Sequence, residues 1–430
     1  MPRSSNPPSR ESLRVASLPQ GARYRYVRRR WHVLCTVIDT LGTMLFAVWH
    51  WFAARRKLLP LDDVRSIGVI QLDHLGDAIL TSGLLRALRR RWPQARLEVI
   101  ASPWNAAVFA RAAEVDTIHT LAVNRFRRPS PWWWPLAIMA RGLRLRQRRF
   151  DLMIDVRGEL PHAVLMYLCG AQRRVGWPAG GGGFLLTDAL AYQVERHQLD
   201  SRRAIVEHLQ IELPEDETLA PSIEPADVDR AQISMLLAQR LSGSQPLVVL
   251  HIGAGTSAKQ WPTAHWRELL GRLIVELDAR VALVGSAAEQ PLAEAIREGH
   301  DWPQVVDLTG QLALGELAAL CERAEAFVGA DSGPAHLAAA VGAPVVALFS
   351  GTNRASQWRP VGEFVRVLHQ PVACSPCHRD QCPLADHPCL NDLAPTRVIA
   401  ALRELLVTPT LPLVPLESLH DRSRSISSAA

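Results

Sequence analysis

Three stretches carry residues whose type and spacing could do chemistry. The first is Gly329-Ala330-Asp331-Ser332-Gly333-Pro334, a turn between an apolar run at 326–328 and an apolar helix expected at 335–341, with a second strand at 345–350. Gly333 permits close backbone approach or a positive φ, and Pro334 wastes no N–H at the first helical position. The helix would present free N–H groups and the positive end of its dipole, which can hold a diphosphate without a metal. His336 could add a donor. The same residues would equally serve as an Asp/Ser N-cap on a core helix.

The second stretch is Asp73-His74-Leu75-Gly76-Asp77, between a buried-strand pattern at 65–72 and a helix at 78–91. It is a turn at the carboxyl end of a strand, where open α/β sheets place their chemistry. The third runs from Gly253 through Thr256, Ser257 and Lys259 to Pro262, after a strand at 247–252. It places a lone cation beside a glycine-rich turn and Trp261.

These turns need a scaffold, and the pattern supplies one. Strands expected at 96–101, 118–123 and 151–156 alternate with helical segments in the first half. Strands at 281–284, 305–308 and 326–328 do so in the second, after a link at Gly243-Ser244-Gln245-Pro246. The alternation predicts parallel, doubly wound α/β sheets, with residues 66–242 and 247–406 as two domains. Four strand ends in the second half carry small or polar residues, marking it as the nucleotide-binding candidate.

The chain has 430 residues, 48% of them hydrophobic, and a net charge of +6, which points to an acidic partner. No nucleic-acid-binding motif accompanies the arginine clusters, so nucleic acid is the weaker choice. Residues 1–30 are basic and expected to be disordered, as are 407–430. Between basic flanks, 31–57 reads as an amphipathic helix whose polar stripe includes His32, Thr36, Asp39 and Thr43. A helix lying in the plane of an anionic membrane surface, or docked on the protein, suits it better than a span, because Asp39 at mid-membrane would be costly. Residues 125–150 hold three consecutive tryptophans and eight arginines, Arg141 and Arg144 among them. That mixture suits lipid headgroups or an anionic acceptor, or equally a solvated basic helix with its tryptophans packed inward. The run Gly180 to Gly183 lacks a phosphate loop's lysine and reads as a flexible turn.

LDHLGDAILTSGLLRALRRRWP, HIGAGTSAKQWP and GADSGPAHLAAAVGAPVVALFSGT together resemble the ADP-heptose:lipopolysaccharide heptosyltransferases, glycosyltransferase family nine, over about 66–406. The resemblance implies a GT-B architecture, two Rossmann-like domains facing across a cleft, acceptor on the N-terminal side and nucleotide-sugar on the other. It implies inverting transfer of a sugar, heptose from ADP-heptose, onto a lipopolysaccharide core or related glycolipid at the cytoplasmic face of the inner membrane. The enzyme would be peripheral or anchored by its N-terminal helix.

By the same resemblance Asp77 is the general base and Lys259 the cation at the departing diphosphate. Thr256 and Ser257 would donate to phosphate oxygens, Glu289 would accept from ribose hydroxyls, and Asp331 would contact the transferred sugar. Ser332, Gly333 and His336 would hold the diphosphate, with Asp73 and His74 beside Asp77 on the acceptor side. No cofactor is implied for catalysis. Another nucleotide-sugar, or a non-catalytic sugar-nucleotide or anionic-lipid-binding membrane protein, are the alternatives. Apart from these, Cys374, Cys377, Cys382 and Cys389 begin with a ligand-like Cys-x-x-Cys and could complete a tetrahedral zinc site. The irregular spacing after the first pair favours reduced thiols.

Overall fold

Segments such as LVVLH and VVALF are apolar with no polar alternation, so a sheet built from them must be covered on both faces. The computed structural model describes residue 24 and residues 29–53, 58–122, 134–193, 195–214 and 218–407. The basic N-terminal stretch, the start of the Trp/Arg-rich segment and the Pro/Ser-rich tail lie outside these residues. Helix α1 (Arg29–Ala53) comes first. Then follow β1 (Ser66–Gln71), α2 (Leu75–Arg91), β2 (Arg96–Ala101), α3 (Ala106–Phe109), β3 (Thr117–Thr120) and α4 (Trp134–Leu145). Next come β4 (Leu152–Asp155), α5 (Leu160–Leu168), β5 (Arg173–Gly176), β6 (Asp188–Ala189) and α6 (Gln198–His208).

The second half runs α7 (Asp227–Arg240), β7 (Leu247–His251), α8 (Thr263–Leu277), β8 (Arg280–Val284), α9 (Gln290–Arg297) and β9 (Val305–Asp307). It continues with α10 (Leu314–Glu322), β10 (Ala326–Ala330), α11 (Gly333–Ala340), β11 (Val345–Phe349) and α12 (Ala355–Trp358). Strand β12 (Val365–His369), α13 (Pro388–Asn391) and α14 (Pro395–Val407) complete it.

The strands form two six-stranded sheets, ordered β3-β2-β1-β4-β5-β6 and β12-β11-β10-β7-β8-β9. Adjacent strands are parallel, as between β1 and β4 and between β7 and β10. Each sheet starts at its centre, winds outward, then crosses back to the other side of its first strand. The two crossover points, β1/β4 and β7/β10, are where open sheets leave a crevice beyond their carboxyl ends. Strands β5, β6 and β12 escape the sequence pattern because they are short or only half-buried. Helix α7 packs Ile233 and Leu237 beneath the second sheet, so that layer recruits a helix from before the 243–246 link.

Of the placements open to it from sequence, helix α1 takes the protein-docked one. Its polar stripe faces the protein. Asp39 is buried and accepts from the Gly182 amide at 2.7 Å and the Tyr24 hydroxyl at 2.9 Å, while Cys35 lies against the Gly180 carbonyl. Phe46 stacks edge-on to Tyr167 of α5 and packs on Phe184. The Gly180–Gly183 run is therefore not a loose turn. It is a buried seat, with Gly181 and Gly182 at positive φ, that lets the helix approach the chain.

The two halves meet through the first turns of α2 and α11. A Cβ on Gly333 would lie 2.7 Å from Leu75 Cβ, and one on Gly76 would lie 2.8 Å from the His336 ring. Gly333 thus serves close approach, since its φ is not positive. Intrinsic helix propensity favours alanine over glycine. Sterics reverse the sign: Gly333→Ala should destabilise the protein by about 1–3 kcal/mol through overpacking. Urea denaturation checks this as a lower midpoint with an unchanged slope.

Candidate active site

On the first sheet the site begins at the end of β1. The Asp73 carbonyl is pinned by Trp104 Nε1 at 2.8 Å and Asn105 Nδ2 at 2.9 Å, which fixes the turn into α2. His74 occupies the N-cap position of α2, and burial lowers its pKa, so the ring is neutral at pH 7. Asp77 lies in the first turn of α2 and is 4% exposed. Its backbone carbonyl accepts from Thr81, whose hydroxyl in turn accepts from Gln71 of β1.

Two guanidinium groups face Asp77. Arg157 follows β4, across the crossover point, and places Nη1 3.6 Å from Asp77 Oδ1 and Nε 3.6 Å from Asp73 Oδ1. Arg202 of α6, 1% exposed, brings Nη2 to 3.8 Å from the same Asp77 oxygen. That oxygen makes no hydrogen bond. Burial raises the Asp77 pKa above the ordinary carboxylate range, while Arg157 and Arg202 pull it down and Asp73 pushes it up. The carboxylate is therefore a strengthened base that nearby cations help to keep ionised.

Arg157 is itself held in place. Asp155 accepts the amides of Arg157, Gly158 and Glu159 and a 2.8 Å bond from His162 Nδ1. The guanidinium also lies 5.6 Å from the Trp358 ring, reaching from one half of the chain to the other. Burial lowers the Arg157 pKa, but Asp73 and Asp77 outweigh that and leave it raised.

On the second sheet, the loops after β7 and β10 meet. Lys259 donates to Asp331 Oδ2 at 2.7 Å and to the Asp331 carbonyl at 3.1 Å. Asn353 donates to the same carboxylate oxygen at 2.8 Å. Ser332 is the N-cap residue of α11, with Pro334 just inside the helix; its hydroxyl donates to the Ala330 carbonyl. Thr256 Oγ1 has no hydrogen-bond partner, whereas Ser257 donates to the Asp380 carbonyl. His336 is buried against Gly76, its pKa pushed down to about 4 by burial, so it offers a neutral ring.

Glu289 accepts the Ser286 amide at 2.5 Å in a capping box, and a Cβ on Gly253 would collide with its carboxylate. It therefore stands at the mouth of the β7 loop while also capping its own short helix. Arg141 and Arg144 lie apart from this constellation, on α4, where Arg141 donates to the Thr120 carbonyl.

The four clustered cysteines line one small cavity with His387. Burial raises the Cys377 pKa and lifts Cys389 to about 11, so these two are neutral thiols. Among the described residues, no group of three or more His, Cys, Asp or Glu side chains is placed to hold a metal ion. The segment braces the loops after β7 and β11. The Ala258 amide donates to Asp380, His387 bonds the Ala258 carbonyl, and the Cys377 and His378 amides donate to Gly351 and Thr352.

The structure thus gathers Asp73, His74 and Asp77 at one sheet and Lys259, Asp331 and Ser332 at the other. Arg157, Arg202, Asn353 and Trp358 were not expected from sequence. Arg157 could have been found by applying the strand-end rule to β4; the other three are assembled only by packing.

The family model for Glycosyltransferase family 9 (heptosyltransferase) matches residues 138–387. Lipooligosaccharide heptosyltransferase 2 of Haemophilus ducreyi is 27% identical over 351 residues, 77% of this chain and 97% of that protein. Lipopolysaccharide heptosyltransferase 2 of Escherichia coli is 28% identical over 356 residues, 79% of this chain and 98% of that protein. The solved structure of E. coli ADP-heptose lps heptosyltransferase II superposes with a TM-score of 0.64 at 25% identity, covering 80% of this chain and 98% of the other. A glycosyl transferase family 9 structure from Veillonella parvula shares the fold, with a TM-score of 0.68 at 20% identity, covering 80% and 98%. With two doubly wound sheets meeting at their crossover points and a family match over more than half its length, this chain belongs to glycosyltransferase family 9, the heptosyltransferases.

Proposed function

We propose that the protein transfers heptose from ADP-heptose to a lipopolysaccharide-core or related glycolipid acceptor, with inversion, at the cytoplasmic face of the inner membrane. The observation that carries this reading is the convergence of two half-sites. A buried carboxylate, Asp77, stands at one sheet, and a lysine–aspartate pair, Lys259 and Asp331, at the other. The direct packing of α2 on α11 joins them. The named relatives are lipopolysaccharide and lipooligosaccharide heptosyltransferases, which supports the choice of sugar and acceptor.

In this mechanism the acceptor hydroxyl oxygen attacks the anomeric carbon as Asp77 takes its proton. The bond from that carbon to the diphosphate oxygen breaks, and ADP leaves with the electron pair. Charge grows on the departing diphosphate. Lys259, the Thr256 hydroxyl and the free amides at the start of α11 are the groups that would receive it. Asp331, with one oxygen held by Lys259 and Asn353, would orient the sugar hydroxyls. Glu289 would meet the ribose at the β7 loop. Arg157 and Arg202 keep Asp77 ionised and draw an anionic acceptor into the cleft.

The choice of donor is tested by measuring transfer from a panel of nucleotide-sugars. ADP-heptose should give the highest kcat/KM, and a preference for another nucleotide-sugar would replace the heptose assignment. Lys259→Ala should lower kcat by about 10²–10³ if the lysine meets charge formed in the transition state. A change confined to KM would assign it to ground-state binding.

The acid limb of kcat provides a second test. Because burial raises the Asp77 pKa, the base-competent carboxylate is lost as pH falls through a value above the ordinary carboxylate range. Arg157→Met removes a cation that lowers this pKa, so the limb should move to higher pH. An unmoved limb would take Asp77 out of the general-base role.

A further inference from the structure

Helices α1 and α4 cover one hydrophobic cluster on the outer face of the first sheet. Ile138 and Leu145 of α4 lie within that cluster, and Phe46 of α1 packs against it. The side of each helix turned away from the cluster is also apolar. At roughly 100° per residue, Val37, Leu41 and Met44 of α1 fall opposite the docked Cys35, Asp39 and Gly42. Leu41 is 54% exposed, Met44 66% and Leu45 77%. On α4, Leu136, Met139 and Leu143 are likewise exposed, opposite the buried Ile138 and Gly142.

Helix α1 is thus reversed relative to an ordinary surface helix, because its carboxylate is satisfied inside the protein and its leucines point outward. Among the described residues, no helix is long and apolar enough to cross a membrane. The exposed charge on these two helices and just beyond α4 has one sign. Arg29 and Arg30 are exposed at the start of α1, and Arg144, Arg146 and Arg149 are exposed at the end of α4 and just beyond it. The two helices contribute no exposed carboxylate: Asp39 is their only acid, and it is buried.

We infer that α1 and α4 together form a docking surface for an anionic lipid bilayer, with the leucine and methionine side chains entering the acyl boundary and the arginines meeting headgroups. Charge complementarity selects this occupant. A second copy of the chain on the same patch would bring like charges together, whereas anionic headgroups neutralise them. The inference rests on the reading that the acceptor is membrane-borne, but it concerns a surface separate from the cleft.

Vesicle flotation of the full chain tests it. The protein should float with vesicles containing phosphatidylglycerol, and less with phosphatidylcholine alone or at high salt. Leu41→Glu with Leu45→Glu, and separately Leu143→Glu, should each lower the partition coefficient, the α1 pair by at least about tenfold. Circular dichroism and ADP release with a delipidated acceptor should stay at wild-type values, which separates loss of docking from loss of fold or chemistry. Unchanged flotation in both variants would overturn the inference. So would a shift from dimer to monomer on sedimentation with no effect on vesicles.

Discussion

Contact between the first turns of α2 and α11 is the constraint on which the rest of the cleft depends. Each helix starts at the carboxyl end of a central strand, β1 or β10, and each carries a glycine where the other helix presses. A larger side chain at Gly76 or Gly333 would wedge the half-sites apart. Because both sheets have the same winding order, both crossover points open toward this contact. Loops after β1, β4, β7 and β10 then deliver Asp77, Arg157, Lys259 and Asp331 respectively. Four strand ends from two independent sheets thereby build one site.

The contact also sets an electrostatic problem. Two helix N-termini and the cations of Arg157, Arg202 and Lys259 gather at the candidate site. The carboxylates of Asp73, Asp77 and Asp331 offset that charge. Buried ion clusters of this kind are poor sources of stability, since desolvation cancels much of the attraction. Their value here is positional. Asp77 is raised in basicity by burial, yet two guanidinium groups favour its ionised form, and Arg157 ties this balance to Trp358 in the other half of the chain.

Much of this was legible in the sequence. Strand-end turns rich in Gly, Asp and Ser marked the Asp77, Lys259 and Asp331 loops, because sheet topology forces such turns to one edge. Arg202 and Asn353 were not legible. A helix interior and the loop after β11 acquire their meaning only when distant segments pack. Helix α1 shows a different limit. Its periodicity revealed a polar stripe, but periodicity does not say which way a stripe faces. The decisive partner of Asp39 is a backbone amide at Gly182, 143 residues away. The same contact turned an apparently flexible glycine run into a seat.

In the proposed mechanism Asp77 supplies the proton transfer while the second sheet holds the donor independently. Single-turnover transfer by Asp77→Asn at saturating ADP-heptose, with donor affinity measured by calorimetry on the same protein, tests it most directly. The chemical step should slow by about 10²–10⁴ while the donor Kd stays at its wild-type value. A near-normal single-turnover rate, or a loss explained by weakened donor binding, would contradict it.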